Sequence, residues 1–136
     1  MDSLSAIGRI AASGMRAQGE RLKIVSENIA NATTTGNSPG EDPYRRKTIT
    51  FGGMMDRESG TDLVGVKDVG RDTSEFELRY DPAHPAANAE GYVKMPNVNA
   101  LMEMANMREA SRSFEANLNM FEAARAMRRN ITDLLK

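Results

Sequence analysis

From Asn97 to Leu135 the chain runs for 39 residues without a proline or a glycine. Good helix formers fill this stretch, and at ~1.5 Å per residue an unbroken helix would span roughly 58 Å. An average globular helix has ~11 residues, so whatever this chain folds into must bury the flank of a long rod. Counted in sevens, Met107, Phe114, Phe121 and Leu135 share one heptad position, with Arg128 intruding. Ala110, Ala124 and Ile131 share a second with Leu118 beside them, and Met120, Met127 and Leu134 hold a third. A two-stranded coiled coil needs only a narrow seam, whereas a band this wide faces more than one neighbour. Two readings follow: one partner helix within the chain plus a few surface methionines, or a helix packed both on its own chain and on copies of itself or relatives.

The N-terminal stretch carries a matching pattern. Asp2 or Ser3 supplies a cap. Leu4, Ala11, Gln18, Val25 and Ala32 fall seven apart, as do Gly8, Met15, Leu22 and Ile29. Interleaved, they give a 3.5-residue repeat over about four heptads, the period of a left-handed supercoil. Ile10, Ala17 and Ile24 widen the stripe. Gly8, Gly14 and Gly19 each weaken the helix by up to ~1 kcal/mol relative to alanine. Such a helix orders on contact with partners. Thr33, Thr34, Thr35 and Gly36 are expected to close it.

Between the two helices lies a segment with another rhythm. Residues 36–43 are turn-rich, and Tyr44 to Phe51, Leu63 to Val69 and Glu75 to Tyr80 read as strands. Asp81-Pro82-Ala83-His84-Pro85 is a rigid turn, Gly91-Tyr92-Val93 follows, and Pro96 with Asn97 or Asn99 opens the last helix. The expected fold is mainly α with a small β insert (α+β). An axial helix over 1–35 pairs, as an antiparallel coiled coil, with a second over 97–136, around a loop and β-rich insert over 36–96. The insert holds few apolar residues and depends on its neighbours.

Composition narrows the function. Net charge is −1, divided as +1 over residues 1–32, −3 over 33–96 and +1 over 97–136. No segment is basic enough for a nucleic-acid footprint. Aromatics are scarce, and ten methionines supply adaptable apolar surface in their place. There is no cysteine, hence no disulfide and no thiolate metal site. Arg9, Arg16, Arg21 and Lys23 interrupt the N-terminal stretch, which lacks the apolar core of a cleaved signal, and nothing approaches the ~20 apolar residues of a membrane span.

Catalytic chemistry has little to stand on. His84 is the single histidine and sits in a proline-flanked turn, where a structural hydrogen-bonding role fits better than ligation. No nucleophile elbow, phosphate loop or calcium loop occurs. The sequence predicts no enzyme, no cofactor and no metal. Arg125, Arg128 and Arg129 near the end of the last helix suit the helix dipole or an anionic partner surface.

The segment Asn28-Ile29-Ala30-Asn31, followed by Thr33 and Gly36, resembles the N-terminal signature of bacterial flagellar axial proteins. Pro43-Tyr44-Arg45-Arg46-Lys47, Asp81-Pro82-Ala83-His84-Pro85, Gly91-Tyr92-Val93 and Asn97-Val98-Asn99 are similar to the proximal-rod branch of the flagellar basal-body rod family. So are Glu103-Met104, Asn106-Met107, Ala110, Arg112 and Ala116-Asn117. The resemblance covers nearly the whole chain. It implies a structural subunit of the proximal rod, which carries motor torque to the hook. It also implies passage through the flagellar type III export apparatus without signal cleavage, and residence in the basal body where the rod crosses the periplasm. Expected partners are copies of this chain and other rod and basal-body proteins, with no nucleic acid and no direct membrane span. The expected assembly residues are Leu4, Ala11, Met15, Leu22, Val25, Asn28, Ile29 and Asn31 on the first helix. On the second they are Phe114, Leu118, Met120, Phe121, Met127, Ile131 and Leu134. Asn28 and Asn31 are expected to bond across helices and fix register. A soluble helical adaptor that dimerises through the same stripes, or a peripheral amphipathic anchor, are the alternatives.

Overall fold

Helix α1, Ser3–Ala30, starts at Asp2, whose carboxylate accepts the Leu4 N–H at 3.4 Å while its carbonyl accepts those of Ser5 and Ala6. The computed structural model describes residues 2–136. The helix stops before the threonines expected to end it. Asn31 donates its side-chain amide to the Glu27 carbonyl at 2.9 Å and accepts the Thr34 hydroxyl at 3.1 Å, so local side-chain bonds replace the helical ladder. Gly36 has another duty than helix termination: a Cβ there would stand 2.8 Å from the Glu41 carbonyl oxygen. The chain then doubles back, and the Tyr44 N–H donates to the Thr34 carbonyl at 2.9 Å.

Helix α2, Ala100–Leu134, is 35 residues long. Asn99 caps it, its Oδ1 accepting the Leu101 and Met102 N–H groups at 3.1 and 3.2 Å. Its buried stripe is narrow: Glu103, Ala110 and Ala124 are buried, and Met107, Phe114, Asn117 and Phe121 are half-buried beside them.

Between the helices lie four strands in two two-stranded sheets: β1 (Lys47–Asp56) with β2 (Thr61–Arg71), and β3 (Glu77–Tyr80) with β4 (Tyr92–Met95). The α+β expectation stands, with corrected strands. β1 begins at Lys47 rather than Tyr44, because the Tyr44 and Arg46 N–H groups are taken by the Thr34 carbonyl and the Asn97 side chain. It also runs on through Gly52-Gly53, where glycine reads as a break. Here the missing side chains make room: the Met54 thioether lies over Gly65, and a Cβ at Gly52 would stand 3.2 Å from Lys67 Cβ. β2 extends both ends of its expected span, and β3 starts at Glu77 rather than Glu75. β4 was not expected as a strand. It pairs antiparallel with β3 in the register Glu77–Met95, Leu78–Lys94, Arg79–Val93 and Tyr80–Tyr92. Alternation in Tyr-Val-Lys-Met was its available signal, since Val93 is fully buried and Tyr92 and Lys94 are exposed.

The chain forms two compact units. The first comprises Met1–Leu22, Ile49–Asp68 and Arg108–Lys136; the second comprises Lys23–Thr48 and Val69–Met107. Within the first, Arg128 donates to the Ser5 hydroxyl, Gly14 lies against Asn117, and Arg21 pairs with Glu109 at 3.2 Å. Rising positions in α1 thus meet falling positions in α2. The β1–β2 hairpin is tied to the same stretch of α1: Arg9 reaches Asp56 at 2.5 Å and Glu58 at 3.1 Å, and the Val64 N–H donates to Ser13 Oγ at 3.3 Å. Within the second unit, Val93 and Ala86 are buried, and Gly91 turns the chain into β4 at φ +88°.

Candidate assembly surface

The second unit contains a buried polar clamp centred on Asn28, none of which is exposed. Asn28 Oδ1 accepts the Lys47 N–H at 2.9 Å and the Tyr44 hydroxyl at 2.8 Å. Its Nδ2 donates to the Lys47 carbonyl at 2.9 Å and to Glu103 Oε2 at 3.4 Å. All four hydrogen-bonding positions of the amide are therefore filled. Glu103, also buried, accepts from Arg46 Nε on its other oxygen. Arg46 also lies 3.6 Å from Asp72, whose carboxyl is held below its usual range, chiefly by the Ser74 N–H. Burial pushes the Tyr44 phenol above its usual value, and the Lys47 ammonium, 2.5 Å from Glu27, holds that carboxyl low. The buried Glu103 carboxylate and the half-buried Arg46 guanidinium, satisfied in this way, tie together the parts of α1, β1 and α2 that lie in this unit.

Asn28 thus bonds across helices as expected, but Asn31 does not: its amide returns to the Glu27 carbonyl of its own helix. Glu103, Arg46 and Tyr44 were missing from the expected interaction residues. For Glu103 the available signal was a charge in an apolar row, since it occupies the heptad position of Ala110 and Ala124.

His84 is a turn residue. Its Nδ1 accepts the Ala86 N–H at 3.0 Å, which leaves the proton on Nε2 to face the Thr35 hydroxyl at 3.2 Å. Among the described residues no cluster of three or more His, Cys, Asp or Glu side chains could hold a metal ion.

The remaining expected interaction residues divide into two groups. Ala11 and Val25 are buried; Leu4, Met15, Leu22, Ile29, Phe114 and Phe121 are half-buried. These are covered wholly or in part by their own chain. Leu118, Met120, Met127, Ile131 and Leu134 are exposed, Met120 by 55%, Met127 by 54% and Leu134 by 85%. With Ala116 and Ala123, which are also exposed, the last four form one row at helical spacing along α2. These large apolar side chains are left uncovered by their own unit.

Residues 9–36 match the family model described as flagella basal body rod protein, and residues 89–134 match that of the flagellar basal body rod FlgEFG protein C-terminal. A flagellar basal-body rod protein FlgC from Agrobacterium fabrum is 56% identical over 136 residues, covering 100% of this chain and 98% of the relative. The chain belongs to the FlgC family of flagellar basal-body rod proteins. An FlgC from Escherichia coli O157:H7 is 39% identical over 118 residues, covering 87% of each chain. One from Borreliella burgdorferi is 34% identical over 144 residues, covering 93% of this chain and 94% of the relative. As a member of the FlgC family the chain is a structural component of the flagellar basal-body rod and not an enzyme. The first family match ends at Gly36 and includes Asn28; the second includes Glu103 and the exposed row of α2.

Proposed function

We propose that this chain is a subunit of the proximal rod, where it carries motor torque outward to the hook. It reaches that place through the flagellar type III export apparatus without signal cleavage, and the rod it joins crosses the periplasm. It assembles by helix packing against copies of itself and other rod and basal-body proteins. Inside each subunit α1 and α2 pair as an antiparallel coiled coil, a reading supported by the opposed run of the Ser5–Arg128, Gly14–Asn117 and Arg21–Glu109 contacts. The observation that carries the proposal is the row Met120, Met127, Ile131 and Leu134, exposed on a helix whose other face packs at home. Torque transmission needs subunits held against sliding, and the Asn28–Glu103–Arg46 clamp supports that role by fixing register within the subunit. No described helix is long and apolar enough to cross a membrane.

The test is electron microscopy of basal bodies from cells whose only copy of this chain carries a compact tag. The expected result is tag density on the rod at its motor end, and non-motile cells when the chain is deleted. Tag density elsewhere, or normal swimming without the chain, would refute the reading.

A further inference from the structure

The first unit holds a groove of about 370 Å³ between the start of α1 and the end of α2. Leu4, Gly8 and Ala12 floor one side, Phe121 and Ala124 the other. A cavity of about 150 Å³ accommodates benzene, so this groove has room for more than one large apolar side chain. Arg9, Arg125 and Arg128 stand around it. Arg9 is engaged by Asp56 and Glu58, whereas Arg125 rests over the Phe121 ring and Arg128 meets only the Ser5 hydroxyl among the contacts described. Among the described residues neither Arg125 nor Arg128 has a carboxylate within ion-pair distance.

Among the described residues the most exposed large apolar side chains lie just beyond, at the end of α2 and the residue that follows it. Leu134 is exposed by 85% and Leu135 by 82%, with Ile131 beside them. Asp133 in the same turn holds only Lys136, at 3.6 Å, in a largely exposed pair that contributes little. Groove and plug are complementary in both respects. One is apolar with unpaired guanidinium groups; the other is apolar with a weakly held carboxylate. A chain cannot fill its own groove with this turn, because Phe121, Arg125 and Leu134 follow one another along one continuous helix.

Resting on the assembly reading above, we propose that the groove of one subunit receives the Ile131–Leu135 turn of a second copy, with Asp133 facing Arg125 and Arg128. Because the two surfaces differ, the contact is head-to-tail. Each added copy presents a fresh plug or a fresh groove, which is the contact type that builds rings or open helical assemblies rather than closed two-fold dimers. The exposed Met120–Met127 row stays free for other neighbours.

The chain contains no cysteine, so cysteine probes have no background. Cells lacking the native copy express two differently tagged chains, one Gly8→Cys and one Leu134→Cys. A Cβ at Gly8 meets nothing within 4 Å, so that substitution fits the groove without disturbing it. Basal bodies are isolated and treated with a short bis-maleimide. The proposal predicts a product carrying both tags, and its loss when the first chain carries Ser26→Cys instead. Leu135→Cys, in the same turn, is the second probe and gives the same product. Basal bodies that contain both tags but yield no doubly tagged product with either probe, or equal yield from Ser26→Cys, would overturn the docking proposal and leave the rod reading standing. Absence of both tags from basal bodies, with the native-sequence chain also absent, would overturn the rod reading and this proposal with it.

Discussion

Asn28 meets the backbone of Lys47 as a neighbouring β-strand would, accepting its N–H and donating to its carbonyl, both at 2.9 Å. A helix side chain here takes the place of a strand at the root of the β1–β2 hairpin. Asparagine is required because only an amide both donates and accepts at this spacing. Replacing it with aspartate keeps the shape but loses both donations and sets a second carboxylate against buried Glu103. Asn28→Asp is expected to cost about 3 kcal/mol or more, the range for breaking a buried charged network. Denaturant unfolding of the purified chain measures this, and a cost under about 1 kcal/mol would mean that water reaches the clamp.

Glycines in α1 should respond in opposite directions. Each gains up to ~1 kcal/mol of helix propensity on replacement by alanine. At Gly19 the new methyl meets nothing within 4 Å, so Gly19→Ala should raise the melting temperature. At Gly14 it would stand 2.7 Å from the Asn117 amide, which is itself tied to the Ser113 carbonyl at 2.9 Å. Gly14→Ala should therefore lower the melting temperature despite the same propensity gain. Circular dichroism of the two variants under one set of conditions checks the contrast.

Stability should be flat near neutrality and fall in acid. The Ser59 hydroxyl and then the Arg9 guanidinium hold the Asp56 carboxyl low, and Lys47 does the same for Glu27. A carboxyl whose pKa is lower folded than unfolded stabilises fully above the unfolded value of about 3.9 to 4.3 and loses that contribution as pH falls through the folded value. Tyr44, raised by burial, works at the other end: the folded chain disfavours its phenolate, so stability drops as pH climbs above about 10. Melting temperature followed from pH 8 downward should hold level and then decline below about pH 5. Arg9→Met should shrink that acid loss, since the folded pKa of Asp56 then moves back toward its unfolded value.

Much of this was legible in sequence because it rests on periodicity. The 39 residues without a breaker became α2 to within a few residues at its start, and the heptads separated into a packed stripe and an exposed row. The misses share a physical cause: tertiary partners that no local pattern encodes. Tyr44 and Arg46 look like strand residues, yet Thr34 and Asn97 claim their N–H groups. Gly52 and Gly53 look like a break, yet β1 runs on through them, and at Gly52 the Lys67 side chain uses the space left. Asn31 repeats the chemistry of Asn28 three residues on, but its helical phase turns it back onto the Glu27 carbonyl. Glu103 looks like an ordinary helix glutamate until its row partners, Ala110 and Ala124, are seen to be buried.

The central claim is that the exposed row of α2 serves contact between subunits and not the fold of one. The double variant Met120→Asp/Met127→Asp tests it most directly. Both side chains are more than half exposed, so unfolding free energy should change by no more than about 0.5 kcal/mol per site. Two carboxylates buried between subunits should instead block assembly. The account predicts a chain that melts as the unsubstituted one does, in cells that do not swim and yield no rod. Normal swimming with normal rods would contradict it, because the row would then face solvent in the finished structure.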